Sequence, residues 1–155
     1  MNHILGKVSL HELSRLEHHI YLTKSTLRQY NNIMVLQFKG YYGYGSKGNC
    51  DAAYMKAIAL AALSVWEPTA FIVDLSDFTY EWGDRLEEIF YVGSNHNEDT
   101  AFPTALVVGP DCAEGIRTLL WGEHSVKPIH DADWVFSDLQ SALEYSERKM
   151  KEYDL

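Results

Sequence analysis

The sequence predicts a single α/β domain: a mixed β-sheet of four to five strands with an N-terminal β-hairpin and about four helices. Three observations carry that expectation. Residues 33–38, 71–75 and 105–108 are short apolar runs rich in branched side chains and bounded by turn formers, as buried strands are. Apolar residues at helical spacing lie between and after these runs, the alternation of a sheet covered by helices. Upstream, residues 20–30 are followed by Asn31 and Asn32, which tolerate the left-handed backbone of a tight turn, so a hairpin into 33–38 is expected.

Leu10, Leu13 and Leu16 recur at helical spacing, so residues 1–18 read as a helical leader ahead of a domain spanning 19–155. Asp51 is placed to cap an alanine-rich helix running to about Trp66, with Pro68 blocking its continuation. Leu86, Ile89 and Phe90 mark the helix after strand 71–75. Asp111 and Glu114 have the spacing of a capping box for a helix carrying Ile116, Leu119 and Leu120 on one face. Ser137 and Gln140 repeat that spacing before a last helix striped by Leu139, Ala142, Leu143 and Met150, and a short strand around 134–136 precedes it. No internal repeat, low-complexity segment or interdomain linker interrupts the order.

The chain's 155 residues, 46% of them hydrophobic, are enough for one ordinary core. No apolar run approaches the roughly 20 residues that span a bilayer, and the first residues, from Met1 to Lys7, lack the basic-then-apolar order of a secretory signal. Cys50 and Cys112 stand alone, which argues against a disulfide framework and a zinc site, and a reducing cytoplasm is the expected location. With 13 basic against 22 acidic residues, the net charge of −9 disfavours nucleic acid and anionic membranes and favours encounter with a basic protein. Solubility alone also accounts for such an excess.

The most informative stretch is residues 70–86, where an apolar run ends in Asp74 and passes through a polar loop into a helical pattern, since open α/β sheets carry their working loops at the carboxyl ends of their strands. Phe78, Tyr80 and Trp82 lie there beside Glu81, Asp84, Arg85, Glu87 and Glu88, aromatic anchors ringed by charge as in protein-binding hot spots. The competing structural reading is that Phe78 and Trp82 fold back over the core. A second candidate is the loop from Gly40 to Asn49, which carries Tyr41, Tyr42 and Tyr44. Glycine-rich loops between strand and helix can cradle phosphate, but the spacing here matches neither the Walker nor the dinucleotide pattern, and Lys47 is followed by glycine. Partner contact through the tyrosines is the favoured reading.

The histidines, among them His11, His18, His19, His96, His124 and His130, show no His-x-x-x-His pair, so no metal ligands are assigned, and no cofactor is expected. No Gly-x-Ser-x-Gly elbow is present, and no catalytic residue is assigned. Cys112, in the first turn of a predicted helix, is either a thiol of lowered pKa or a buried structural one.

The order of a hairpin followed by α-β-α-β-α-β-α resembles the STAS domain, the fold of anti-sigma-factor antagonists and of the cytoplasmic tails of sulfate transporters. Two motifs carry the resemblance: residues 73–80, where Val73-Asp74-Leu75-Ser76 looks like the family's apolar strand ending in Asp-Leu-Ser, and residues 135–143, where Phe136, Ser137, Ala142 and Leu143 look like its closing Phe-x-Ser-x-x-x-Ala-Leu pattern. The family's bacterial regulators place a phosphorylatable serine after Asp at the start of the next helix. The corresponding positions here are Trp82 and Gly83, followed by Asp84, so the usual phosphoswitch lacks its hydroxyl. Asp84 supplies a fixed negative charge at a helix N-terminus or a simple cap.

Two classes of function follow. The first is a non-enzymatic protein-binding module that inhibits or sequesters a partner, expected to be a bacterial immunity protein neutralising a cognate basic toxin, with a regulator of the anti-sigma-antagonist kind lacking a phosphoswitch as its variant. The second is a nucleotide-binding or small-molecule enzyme or sensor that uses loop 40–49.

Overall fold

The computed structural model describes residues 2–155. Its strands are β1 (Glu17–Lys24), β2 (Asn32–Tyr41), β3 (Ala70–Leu75), β4 (Phe78–Thr79), β5 (Thr104–Val108) and β6 (Val135–Phe136). Its helices are α1 (Asn49–Trp66), α2 (Glu88–His96), α3 (Ala113–Trp121) and α4 (Leu139–Glu152). β1 pairs antiparallel with β2 as the expected hairpin, and the parallel strands follow in the order β2-β3-β5-β6. The two-residue β4, unexpected from sequence, pairs with the overhanging end of β2, Gly40 opposite Phe78 and Tyr41 opposite Thr79. The continuous path holds five strands, as the sequence predicts, and β4 adds a short pairing off it.

All six residues of β3 are buried, because α1, α2 and α3 cover one face of the sheet and α4 covers the other. The larger core joins Met34, Leu36, Phe38, Phe71, Val73 and Leu106 to the first three helices. The smaller joins Ile33, Val35, Ile72 and Val107 to Ala142, Tyr145 and Met150 of α4. No helix among the described residues is long and apolar enough to cross a membrane.

Several local expectations are corrected. The hairpin does not turn at Asn31-Asn32; a seven-residue loop, 25–31, joins its strands, organised by the Ser25 hydroxyl oxygen, which accepts from the N–H groups of Leu27 and Arg28, both at 3.1 Å. The helical leader reduces to one 3-10 turn, Leu10–Glu12, capped by Ser9; Leu10 and Leu13 stay exposed, and only Leu16 of the three leucines reaches the core. Asp51 lies inside α1, beyond its Gly48 N-cap. The cap of α3 is Cys112 without a side-chain bond, while Glu114 instead binds Arg117. The cap of α4 is Asp138, one residue after the expected Ser137, accepting from the Ser141 N–H at 2.7 Å. α1 ends as predicted near Trp66, where Glu67 takes a left-handed conformation and Pro68 follows.

Candidate functional site

The carboxyl ends of the parallel strands are knitted to the glycine-rich loop by backbone hydrogen bonds. Tyr42 N–H donates to Thr79 O at 2.9 Å, Gly45 N–H to Trp82 O at 2.9 Å, and Tyr80 N–H to Asp111 O at 3.2 Å. Asp74, at the end of β3, turns the chain by accepting from the Ser76 N–H at 3.0 Å and from the Gln37 amide at 3.2 Å. The two stretches singled out in the sequence, 40–49 and 78–88, are therefore neighbours.

They divide into a buried layer and an exposed one. Phe78, Tyr80 and Tyr42, expected as partner contacts, are buried: Tyr42 meets Phe78 edge-on at 5.9 Å and Tyr80 at 5.2 Å between ring centroids. The alternation of an extended segment turns Phe78 and Tyr80 inward together, and the Tyr80 hydroxyl donates to Gly83 O at 2.7 Å. Burial pushes the Tyr42 phenol up to about 12 and raises that of Tyr80 further, so both stay protonated. These three side chains support the surface from below and cannot contact a partner without opening the core.

Above them, Trp82 and Tyr44 are 56% and 65% exposed, with ring centroids 5.9 Å apart and planes tilted by 38°. Two glycines permit this. Gly83, at φ 147°, bends the chain away from the inward alternation, and Gly45, at φ 61°, presents backbone to the Trp82 ring; a β-carbon on Gly45 would stand 3.0 Å from that ring. The pair walls a cleft of about 410 Å³ whose other lining includes Glu81, Asp84, Thr118, Leu119 and Glu123. A smaller hollow of about 230 Å³ adjoins it, with Asp111 and Glu114 on its far side. Glu81, Asp84 and Glu123 put three exposed carboxylates on the lining of the Tyr44–Trp82 cleft, while Asp111 and Glu114 face the adjoining hollow, where Glu114 is paired with Arg117. Two nearby cations are engaged by acids, Arg117 with Glu114 at 2.8 Å and Arg85 with Glu88 at 3.4 Å, while Lys47 is exposed in the loop that carries Tyr44.

The remaining predicted contacts lie elsewhere. Glu87 and Glu88 line a separate groove of about 620 Å³ between α1 and α2, with Lys56, Leu60 and Tyr91. Arg85 is exposed beside them, and Tyr41 is exposed but does not line the cleft. Asp84 occupies the first position of a 3-10 turn, Asp84–Glu87, that leads into α2, so an acid does stand at that start. Thr118, Leu119 and Glu123 are not expected as site residues from sequence; α3 brings them to the cleft, and Leu119 is marked only as part of the helix's apolar face.

The glycine-rich loop is closed where a phosphate would sit. The Asp51 carboxylate accepts from the Gly43 N–H at 2.8 Å and from the Ser14 hydroxyl at 2.5 Å, placing a fixed negative charge in the first turn of α1. The Tyr42 ring packs on Gly48, where a β-carbon would come within 2.1 Å of it. Cys112 is the buried structural thiol of the two readings: its Sγ donates to Leu75 O at 3.2 Å, and burial pushes its pKa up to about 11. His18 Nδ1 lies 2.6 Å from the Tyr54 hydroxyl, and burial lowers the His18 pKa. Among the described residues no group of three or more His, Cys, Asp or Glu side chains is placed to hold a metal ion.

Neither protein-family models nor curated proteins give a match to this chain.

Proposed function

We propose that the protein is a non-enzymatic binding module that docks a basic protein on the Tyr44–Trp82 cleft and inhibits it, as an immunity protein neutralises a toxin. The observation that carries this reading is the exposed aromatic pair in a cleft lined by three exposed carboxylates, Glu81, Asp84 and Glu123, in a chain of net charge −9. Two large rings left in water while Phe78 and Tyr80 beneath them are buried are anchors without a partner. The carboxylates add steering of a positive surface and attract a lysine or arginine onto the ring faces.

The STAS-like regulator without a phosphoswitch remains the second reading, supported by the hairpin, the parallel strands that follow it and the absence of a hydroxyl at 82–84. It would use the same surface. The nucleotide reading loses support from the Asp51 carboxylate in loop 40–49.

The test is affinity capture from lysate of the source cell at low salt, followed by calorimetric titration of the purified partner with native, Trp82→Ala and Asp84→Lys proteins. A basic partner bound by the native chain, weakened at least about tenfold by each substitution and released by salt, supports the reading. Its activity then separates toxin from regulator. A partner indifferent to both substitutions, or an acidic one, sinks it.

A further inference from the structure

At the opposite end of the sheet the edge is incomplete. β6 has two residues against five in β5, so the lower part of β5 has no strand beside it. Pro103 C=O accepts from the Phe71 N–H at 2.9 Å, toward β3, and the Leu106 N–H donates to Trp134 O at 2.9 Å, toward β6. The alternation of a parallel ladder therefore turns the N–H and C=O of Thr104 to the side that β6 does not reach.

α2 on one face and α4 on the other flank this gap and leave a cavity of about 380 Å³, with Phe90, Tyr91, Phe102, Trp134, Tyr145 and Tyr153 in its walls. That volume is within the range of about 300–1,000 Å³ usual for small-molecule sites. Phe90 and Trp134 meet edge-on at 5.5 Å. Gly93 makes room for Phe102, since a β-carbon there would come within 2.4 Å of its ring. Thr104 lines the floor, and its hydroxyl is buried with no hydrogen-bond partner.

Two cations stand against the aromatic walls of this cavity. Lys149 Nζ stands 5.8 Å from the Tyr145 ring centroid and 5.7 Å from that of Tyr153, and the Arg148 guanidinium lies 5.4 Å from Tyr145. The acids nearby are Asp133, close enough to act on Tyr145, and Glu152, 3.3 Å from Lys149 and 55% exposed. The Lys149 side chain is 18% exposed and paired, so an incoming carboxylate would have to displace the more exposed Glu152.

We propose that this cavity binds a small planar aromatic acid, its ring against the Trp134 and tyrosine side chains, its carboxylate on Lys149, and a polar edge on the backbone of Thr104. Aromatic walls select a flat apolar body, and the single ammonium at the rim selects the sign of its charge.

The test uses the full chain and naphthoate as probe, with the shape-matched neutral alcohol and cationic amine as controls, read by amide-resolved NMR. Naphthoate is expected to saturate and to shift the Ser94, Thr104 and Lys149 amides, with the alcohol and amine at least about fivefold weaker. Lys149→Met, which keeps the packing of the stem, should abolish that preference while leaving the melting curve unchanged. Ser94→Trp, a substitution at an exposed helix position on the rim, should block all three probes. Equal affinity for the three probes, no saturable shift up to a few millimolar, or binding indifferent to Ser94→Trp would overturn the proposal.

Discussion

Asp51, the third residue of α1, ties two distant segments to one carboxylate: one oxygen accepts from the Gly43 N–H at 2.8 Å and the other from the Ser14 hydroxyl at 2.5 Å. The segment before β1 and the glycine-rich loop are thereby held on the start of α1. Asp51→Asn keeps the shape but offers one acceptor and an unwanted donor, so about 1–3 kcal/mol of stability should be lost. Urea unfolding checks this as a lower midpoint with an unchanged slope. The same carboxylate repels phosphate, so neither inorganic phosphate nor a nucleotide should raise the melting temperature of the native protein. A phosphate-dependent stabilisation would reopen the nucleotide reading.

Gly45 and Trp82 form a second pair whose energetic roles differ. The backbone at Gly45 has φ 61°, and any β-carbon there meets the Trp82 ring. Gly45→Ala should cost about 1–2 kcal/mol from the left-handed backbone alone and displace the indole. Trp82→Ala removes a ring that is mostly in water and should change stability by no more than about 0.5 kcal/mol. Chemical denaturation of both variants, with tryptophan emission measured against a Trp82→Phe reference, separates the two effects. A large loss from Trp82→Ala would make the indole a structural element and weaken its assignment as an anchor.

The two cysteines should react very differently. Cys50 is exposed, whereas Cys112 is buried and its thiol is pushed up to about 11 by loss of hydration. At pH 8 iodoacetamide should add once to the native chain and twice after denaturation, counted by intact mass. Because folding raises this pKa, the native state prefers the protonated thiol. Its contribution to stability is complete below the ordinary thiol range near pH 8.5 and is lost as pH rises toward about 11. Cys112→Ala should flatten that part of the alkaline unfolding profile. Two additions to the native chain at pH 8 would contradict the buried placement.

Legibility in the sequence followed burial. β3 and β5 carry helices on both faces and therefore read as near-continuous apolar runs, interrupted in 71–75 only by Asp74, which is why 71–75 and 105–108 are visible. The cap expected at Asp51 falls three residues earlier, at Gly48, because the Asp51 carboxylate is engaged by Gly43; those expected at Asp111 and Ser137 fall one residue later, at Cys112 and Asp138, and Glu114 of the expected box pairs with Arg117 instead. β4 was invisible: two residues carry no periodicity, and the strand exists only because β2 overhangs β3. Within the candidate site, Phe78, Tyr80 and Trp82 sit at a spacing of two, and of the two rings read as able to fold back over the core, Phe78 does and Trp82 does not. The strand ends at Thr79 and Gly83 bends the chain, so the first two rings are buried and the third is not. Thr118, Leu119 and Glu123 join the cleft only through the docking of α3, a tertiary event with no signature in their own neighbourhood.

The hairpin loop is held by a helix more than a hundred residues away. Glu147 of α4 accepts from the Ser25 hydroxyl at 2.7 Å and from the Thr26 N–H at 2.8 Å, and the Ser25 oxygen in turn accepts from the next two backbone amides but one. Since Ser25 is buried, Glu147→Ala leaves its hydroxyl without an acceptor and should cost about 1–3 kcal/mol. The amides of Leu27, Arg28 and Asn31 should exchange faster with solvent, because their loop loses its anchor while β1 and β2 keep their ladder. Asp154→Ala, which removes only the exposed partner of Arg28, should leave both readouts unchanged. If the two variants behave alike, charge near the chain's end, and not the Glu147 hydrogen bonds, holds the hairpin loop.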